Sequence, residues 1–170
     1  IAKGYIADRM AVLLREWGVK SAIINLGGNI LVLGSRPDGH PWRVGLRRPL
    51  LARDQPRMEP FSTVEVRDCS VVTSGVYERA FELGGRLYHH ILDVRSGRPA
   101  KTDLLCATLI APTSLQADGL TTALMLMGLD VALDFVEGQD GLEAVFVSDR
   151  AQVYATSGIG TAIPFTLLSE

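Results

Sequence analysis

The chain has 170 residues and a mass of 18.4 kDa, the size of a single domain. Its composition, 47% hydrophobic and 21% charged, excludes a disordered chain, and a net charge of −2 argues against a general nucleic-acid binder. The basic cluster Arg43, Arg47 and Arg48 is too small to reverse that.

Ile6, Met10, Leu13, Leu14 and Trp17 recur at helical spacing before Gly18, which predicts an amphipathic helix over residues 4–17. Ser21 to Leu26 and Ile30 to Leu33 are short β-prone runs joined by Gly27-Gly28-Asn29. After the turn signal Arg36-Pro37-Asp38-Gly39, Trp42 to Leu46 alternates like a strand. Residues 50–60 carry Arg and Pro without a period and read as a surface loop. Thr63 to Val66 and Ser70 to Thr73 are strand-like, and residues 77–83 and 86–92 predict a hairpin across Gly84-Gly85. A loop covers 94–102, and Leu104 to Ile110 is a buried strand. Ser114 is placed to cap a helix with the stripe Leu120, Ala123, Leu124 and Met127, ending at Gly128. A short helix follows at 130–137, and Leu142 to Val147 with Gln152 to Ala155 form a last hairpin around Asp149-Arg150.

Strands follow one another through tight turns while helices stand apart, so the expected fold class is α+β with an antiparallel sheet. No linker, second domain or transmembrane run interrupts the chain. Cys69 and Cys106 lie in separate apolar stretches and are expected to be buried thiols. The tripeptide Thr-Ser-Gly occurs at 73–75 and at 156–158, weak evidence for duplication.

Asp118 is the most informative residue, because its helix is apolar on nearly all sides. A carboxylate there needs donors or a cation. One reading is a carboxylate hydrogen-bonded by a neighbouring loop. The other is a hard-oxygen site in which Asp118 and Thr122, one turn on, ligate Mg²⁺. Gly119 beside them favours close approach by another group. In Tyr88-His89-His90-Ile91-Leu92-Asp93 the two histidines of a strand point to opposite faces, so at most one meets a cleft. Asn25-Leu26-Gly27-Gly28-Asn29 reads as a bend or as a backbone surface for a phosphorylated ligand; it lacks a dinucleotide fingerprint. Lys3, near a helix start, is an exposed lysine or a phosphate contact. Asp8 is an exposed helix carboxylate or a supporting residue.

In chain order these segments resemble the ApbE family: Ile1-Ala2-Lys3-Gly4-Tyr5 with Asp8, Asn25 to Asn29, Pro41-Trp42-Arg43-Val44, Thr73-Ser74-Gly75-Val76-Tyr77-Glu78-Arg79, Tyr88 to Pro99, and Ala117-Asp118-Gly119-Leu120-Thr121-Thr122. The resemblance implies an α+β, T-fold-like architecture and an FAD:protein FMN transferase, with residues 1–170 forming the C-terminal portion of one flavin transferase domain. Such an enzyme uses Mg²⁺ and FAD to attach FMN to a threonine hydroxyl of an acceptor flavoprotein, releasing AMP. An FAD pyrophosphatase and a non-catalytic flavin-binding protein are the alternatives. Carried onto matching positions, Asp118 and Thr122 bind Mg²⁺, Lys3 and the backbone at Ile91 contact FAD, and His90 sits by the reacting phosphate. A periplasmic or cell-surface, lipid-anchored location is also implied. Val94, Ser96, Val76 and Thr121 depart from the family pattern; Thr121 stands where some members carry a second metal-binding Asp. The family takes a further metal ligand, and much of its flavin pocket, from upstream of the residue matching Ile1. A separate N-terminal segment is therefore an expected partner. Residues 1–170 by themselves are expected neither to bind FAD tightly nor to transfer FMN.

Overall fold

The computed structural model describes residues 1–47, 49, 60–77 and 79–168. Helix α1 (Ala2–Glu16) leads to strands β1 (Ala22–Asn25) and β2 (Asn29–Leu33), then β3 (Trp42–Arg47), β4 (Pro60–Val66) and β5 (Ser70–Gly75). Two short hairpins follow, β6 (Ala80–Leu83) with β7 (Arg86–His89), and β8 (Leu92–Asp93) with β9 (Arg98–Pro99). Strand β10 (Leu104–Ala111), helices α2 (Ser114–Met127) and α3 (Leu129–Glu137), and strands β11 (Glu143–Ser148), β12 (Val153–Ala155) and β13 (Phe165–Leu167) complete the chain.

A six-stranded sheet in the order β1-β2-β5-β10-β11-β12 is antiparallel throughout, as is a three-stranded sheet, β13-β4-β3. This is the α+β class expected. Strand β10 is buried at all eight positions, which its unbroken apolar run requires when both faces are covered. Helix α2 lies over β5 and β10 on one face. Val44, Leu46, Phe61, Val64 and Val66 of the small sheet join the same core from the other side.

Several expectations are corrected. On α1 the buried residues are Gly4, Ala7 and Ala11, with Leu14 half-buried, while Ile6, Met10, Leu13 and Trp17 are exposed. The helix sits too close to its neighbours for large side chains: a Cβ on Gly4 would lie 2.8 Å from Asp118 Cβ and against the Ser114 carbonyl. On α2 the N-cap is Thr113, whose hydroxyl accepts the Gln116 N–H at 3.3 Å, and Ser114 is already helical. Its buried stripe is Ser114, Ala117, Thr121, Leu124 and Met125 rather than Leu120, Ala123, Leu124 and Met127. Two polar residues carry that stripe because each has a hydrogen-bond partner inside. The hairpin β8–β9 occupies part of the loop expected over 94–102, and β13 was not expected at all. The loop expected over 50–60 lies outside the described residues except Pro60, which opens β4.

Candidate functional site

Helices α1 and α2 meet at their first turns, where each supplies a carboxylate to the other. The Gly4 N–H donates to Asp118 Oδ2 at 2.9 Å, and the Ile1 α-amino group lies 2.8 Å from the same oxygen. In return the Ser114 and Leu115 N–H groups donate to Asp8 Oδ1 and Oδ2, both at 2.8 Å. Helix N-termini carry orphan donors and partial positive charge, so both carboxylates are placed where backbone demands an anion. Asp8 is thereby fixed as the support of α2.

Asp118 is 16% exposed in its side chain. Burial raises its pKa, but hydrogen bonds from the Ile1 ammonium and the Gly4 N–H, with the charges of Ile1 and Lys3, outweigh burial and hold the carboxyl below its ordinary value. Its Oδ1 accepts no hydrogen bond among the described residues. Thr122 is exposed one turn further on, and Gly119 faces open space. Thr121 points the other way: it is fully buried and accepts the Ser74 hydroxyl at 2.9 Å. Thr121 is thus turned towards the sheet.

Lys3 crosses from α1 to the β1–β2 turn, donating to the Gly27 carbonyl at 2.8 Å. Gly27 (φ 69°) and Gly28 (φ 83°) take consecutive positive φ values there, which explains the Gly pair. The turn is tied down by the Gly27 N–H to Asn25 Oδ1 at 3.0 Å and by the Thr73 N–H to the Gly28 carbonyl at 3.0 Å. Beneath it, Ser114 Oγ bonds Asn29 Oδ1 at 2.7 Å, while Asn29 Nδ2 is buried without a partner. Lys3, the Gly27-Gly28 turn and Asp118 therefore converge on one place.

The histidines are distributed differently from the expectation for a strand pair. Strand β7 ends at His89, and His90 is an exposed bend residue beyond it. His89 is half-buried, leaves its Nδ1 buried without a partner, and lines a cleft of about 1080 Å³ with Asp93, Arg95, Lys101 and Leu126. Burial pushes the His89 imidazole below its usual pKa, with His90 adding to the shift and backbone contacts at Ala100 and Ile91 opposing it. Leu126 stands one and two helical turns beyond Thr122 and Asp118, so the cleft continues along the same face of α2. Ile91 is buried, and its carbonyl accepts the Ala100 N–H at 3.0 Å.

Among the described residues, no three or more His, Cys, Asp or Glu side chains are grouped so as to hold a metal. A cation at Asp118 therefore has to complete its shell with hydroxyl, carbonyl, phosphate or water oxygens. That donor set suits a hard divalent ion such as Mg²⁺. The residues present fit such an ion.

A profile of the ApbE family matches residues 1–146. The chain belongs to the ApbE family. The FAD:protein FMN transferase of Treponema pallidum (strain Nichols) is 40% identical over 167 residues, covering 94% of this chain and 45% of that relative. That of Escherichia coli (strain K12) is 30% identical, covering 92% and 43%. Among solved structures, the ApbE protein of Thermotoga maritima superposes with a TM-score of 0.80 at 30% identity, over 92% of this chain and 50% of that one. The apo flavinyl transferase ApbE of Pseudomonas stutzeri gives 0.75 at 36% identity, over 94% and 49%. The chain thus spans about half the length of these relatives.

Reasoning from sequence read Ser114 as a cap and placed Asn29 and Ser74 only within motifs; it did not find the Ser114–Asn29 and Ser74–Thr121 hydrogen bonds, which set the rotation of α2 and the seat of the turn. Their signal was available as polar residues at 114 and 121, spaced with Ala117 and Leu124 along one helical face.

Proposed function

We propose that this chain forms the metal- and phosphate-binding half of an FAD:protein FMN transferase, which moves FMN from FAD to a threonine hydroxyl of an acceptor flavoprotein and releases AMP. The convergence of Lys3, the Gly27-Gly28 turn and Asp118 at the α1–α2 junction carries this reading. Asp118 Oδ1 and the Thr122 hydroxyl would hold Mg²⁺. When bound, that ion offsets the negative charge that develops on the pyrophosphate. Lys3 adds positive charge from the turn, and the backbone at Ile91 positions FAD. His90 accepts the proton of the acceptor hydroxyl. The threonine oxygen then bonds to the FMN-side phosphorus as the bridging P–O bond breaks, and AMP leaves with that electron pair.

The test fuses the part of the T. pallidum relative outside the match ahead of Ile1 and supplies FAD, Mg²⁺ and an acceptor domain with a candidate threonine. An FMN-mass adduct on the acceptor that depends on Asp118 supports the reading. FMN and AMP formed without an adduct would assign the pyrophosphatase activity instead. No consumption of FAD by the folded fusion refutes both.

A further inference from the structure

Asn29 opens β2 immediately after the Gly27-Gly28 turn and is 1% exposed. Its backbone is fixed on both sides, by the Leu26 N–H donating to its carbonyl at 2.9 Å and by pairing with Val72 of β5. Alternation along β2 puts its side chain on the face of Leu31 and Leu33, which pack with Ala7 and Ala11 of α1. An apolar residue would suit that face. Instead the Asn29 amide accepts one bond, from Ser114 Oγ at 2.7 Å, and its Nδ2 is buried without a partner among the described residues. A buried donor left without an acceptor is destabilising, so this side chain lowers stability where it stands.

What it holds is the first turn of α2. Ser114 is fully buried, its N–H donates to Asp8, and its carbonyl lies against Gly4 of α1. Asp118 stands one helical turn beyond Ser114, and Lys3 reaches the Gly27 carbonyl two residues before Asn29. The Asn29–Ser114 bond is thus a direct tie between the two elements on which Asp118 and Lys3 converge. We propose that Asn29 is a positioning residue, which through Ser114 sets the first turn of α2 against the Gly27-Gly28 turn and so aims Asp118 and Lys3 at one phosphorylated ligand. It acts through Ser114 and touches no substrate. Charges that meet developing negative charge are effective when they are held in place beforehand, which gives a use to a tie that lowers stability. The inference rests on the reading of this junction as the metal and phosphate site.

The experiment uses Asn29→Val with Ser114→Ala, which replaces both partners of the bond by apolar side chains, a change close to neutral in stability. In the 170-residue chain without metal or flavin, the melting temperature should stay within about 4 °C. The Gly4 and Thr73 amides, which donate to Asp118 Oδ2 and to the Gly28 carbonyl, should exchange about tenfold faster, while the amides of β10 keep their rates. In the fusion the same pair should lower kcat by about tenfold or more, with KM for FAD changed by less than about threefold. Ser114→Ala alone adds no bulk and should give the same local acceleration and the same loss of kcat, so a pair that fails to fold leaves the decision to it. Ser62→Ala is the control: Ser62 Oγ, on β4, is another buried atom without a partner among the described residues, and its loss should move neither measurement. Unchanged exchange at Gly4 and Thr73 overturns the inference. So does acceleration that reaches β10 equally, which marks a general loss of stability, and so does an unchanged kcat. Exchange is read without turnover: if the unaltered fusion transfers no FMN, the flavin-transfer reading fails while exchange still decides whether Asn29 sets the junction.

Discussion

At the scale of single residues, Asp118 has two duties on its two oxygens. Oδ2 closes the first turn of α1, and Oδ1, which accepts no hydrogen bond among the described residues, is the oxygen proposed for the metal. Asp118→Asn keeps the shape and removes the charge, so calorimetry on the fusion should show Mg²⁺ binding strongly weakened; equal affinity would remove Asp118 from the metal site. Because its folded pKa is depressed, its contribution to stability is present above the unfolded carboxyl value of about 3.9 and is lost as pH falls through the lower folded value. Acid unfolding of Asp118→Asn should therefore lose part of its pH dependence in that window. His90→Ala should lower turnover of the fusion by about 10²–10⁴-fold if His90 is the general base. His89→Ala is expected to have little effect on the chemical step; the reverse ranking would transfer the role to the cleft-lining histidine. Cys69 gives a simpler test. Burial first, then the Asp68 charge, against an opposing backbone contact at Arg67, pushes its thiol up to about 11. Alkylation in the native chain near neutral pH should be slow compared with the unfolded chain.

At the scale of elements, the crossing of α1 on α2 depends on Gly4. A methyl there meets Ser114 and Asp118, so Gly4→Ala should cost about 1–3 kcal/mol of overpacking, read by denaturant unfolding, although alanine is the better helix former. Thr113→Ala should cost about 1 kcal/mol through loss of the α2 cap. The same crossing explains what was legible in the sequence. Strands with turn residues between them follow from alternation, with Gly pairs at β1–β2 and β6–β7 and Asp149-Arg150 at β11–β12. Existence of α1, α2 and α3 follows from periodicity. Which face of a helix is buried did not follow, because hydrophobicity selects large apolar side chains whereas close helix approach selects Gly4, Ala7 and Ala11. Likewise Thr121 and Ser114 are buried on α2 because Ser74 and Asn29 receive them, and a partner across the fold is invisible to a local pattern. For the site, the motif residues were identifiable one by one, while the mutual capping by Asp8 and Asp118 required the helices to be placed. Strand β13 was missed since three residues leave too short a period to read.

At the scale of the whole molecule, the six-stranded sheet is the rigid base, and Leu124 on α2 ties the site helix to it. Leu124→Ala, fully buried in the main core, should destabilise by about 2–5 kcal/mol and disturb the Asp118 face with it. The end of the chain has a different importance. After β12, Thr156 and the Gly158 N–H engage Glu143, and Ser157 bonds Glu137 through its N–H at 2.6 Å and its hydroxyl at 2.8 Å. From that anchor the chain crosses to the small sheet, where Phe165 pairs with Val64. During synthesis β4 therefore waits for β13, about a hundred residues later, which at roughly 5–20 residues per second is of the order of 5–20 s. Closing so long a loop is entropically costly, so the small sheet should be among the last parts to form. A chain released at Ala155 keeps every motif residue of the site yet leaves one side of β4 unpaired. Such a chain should sediment as aggregates where the 170-residue chain does not.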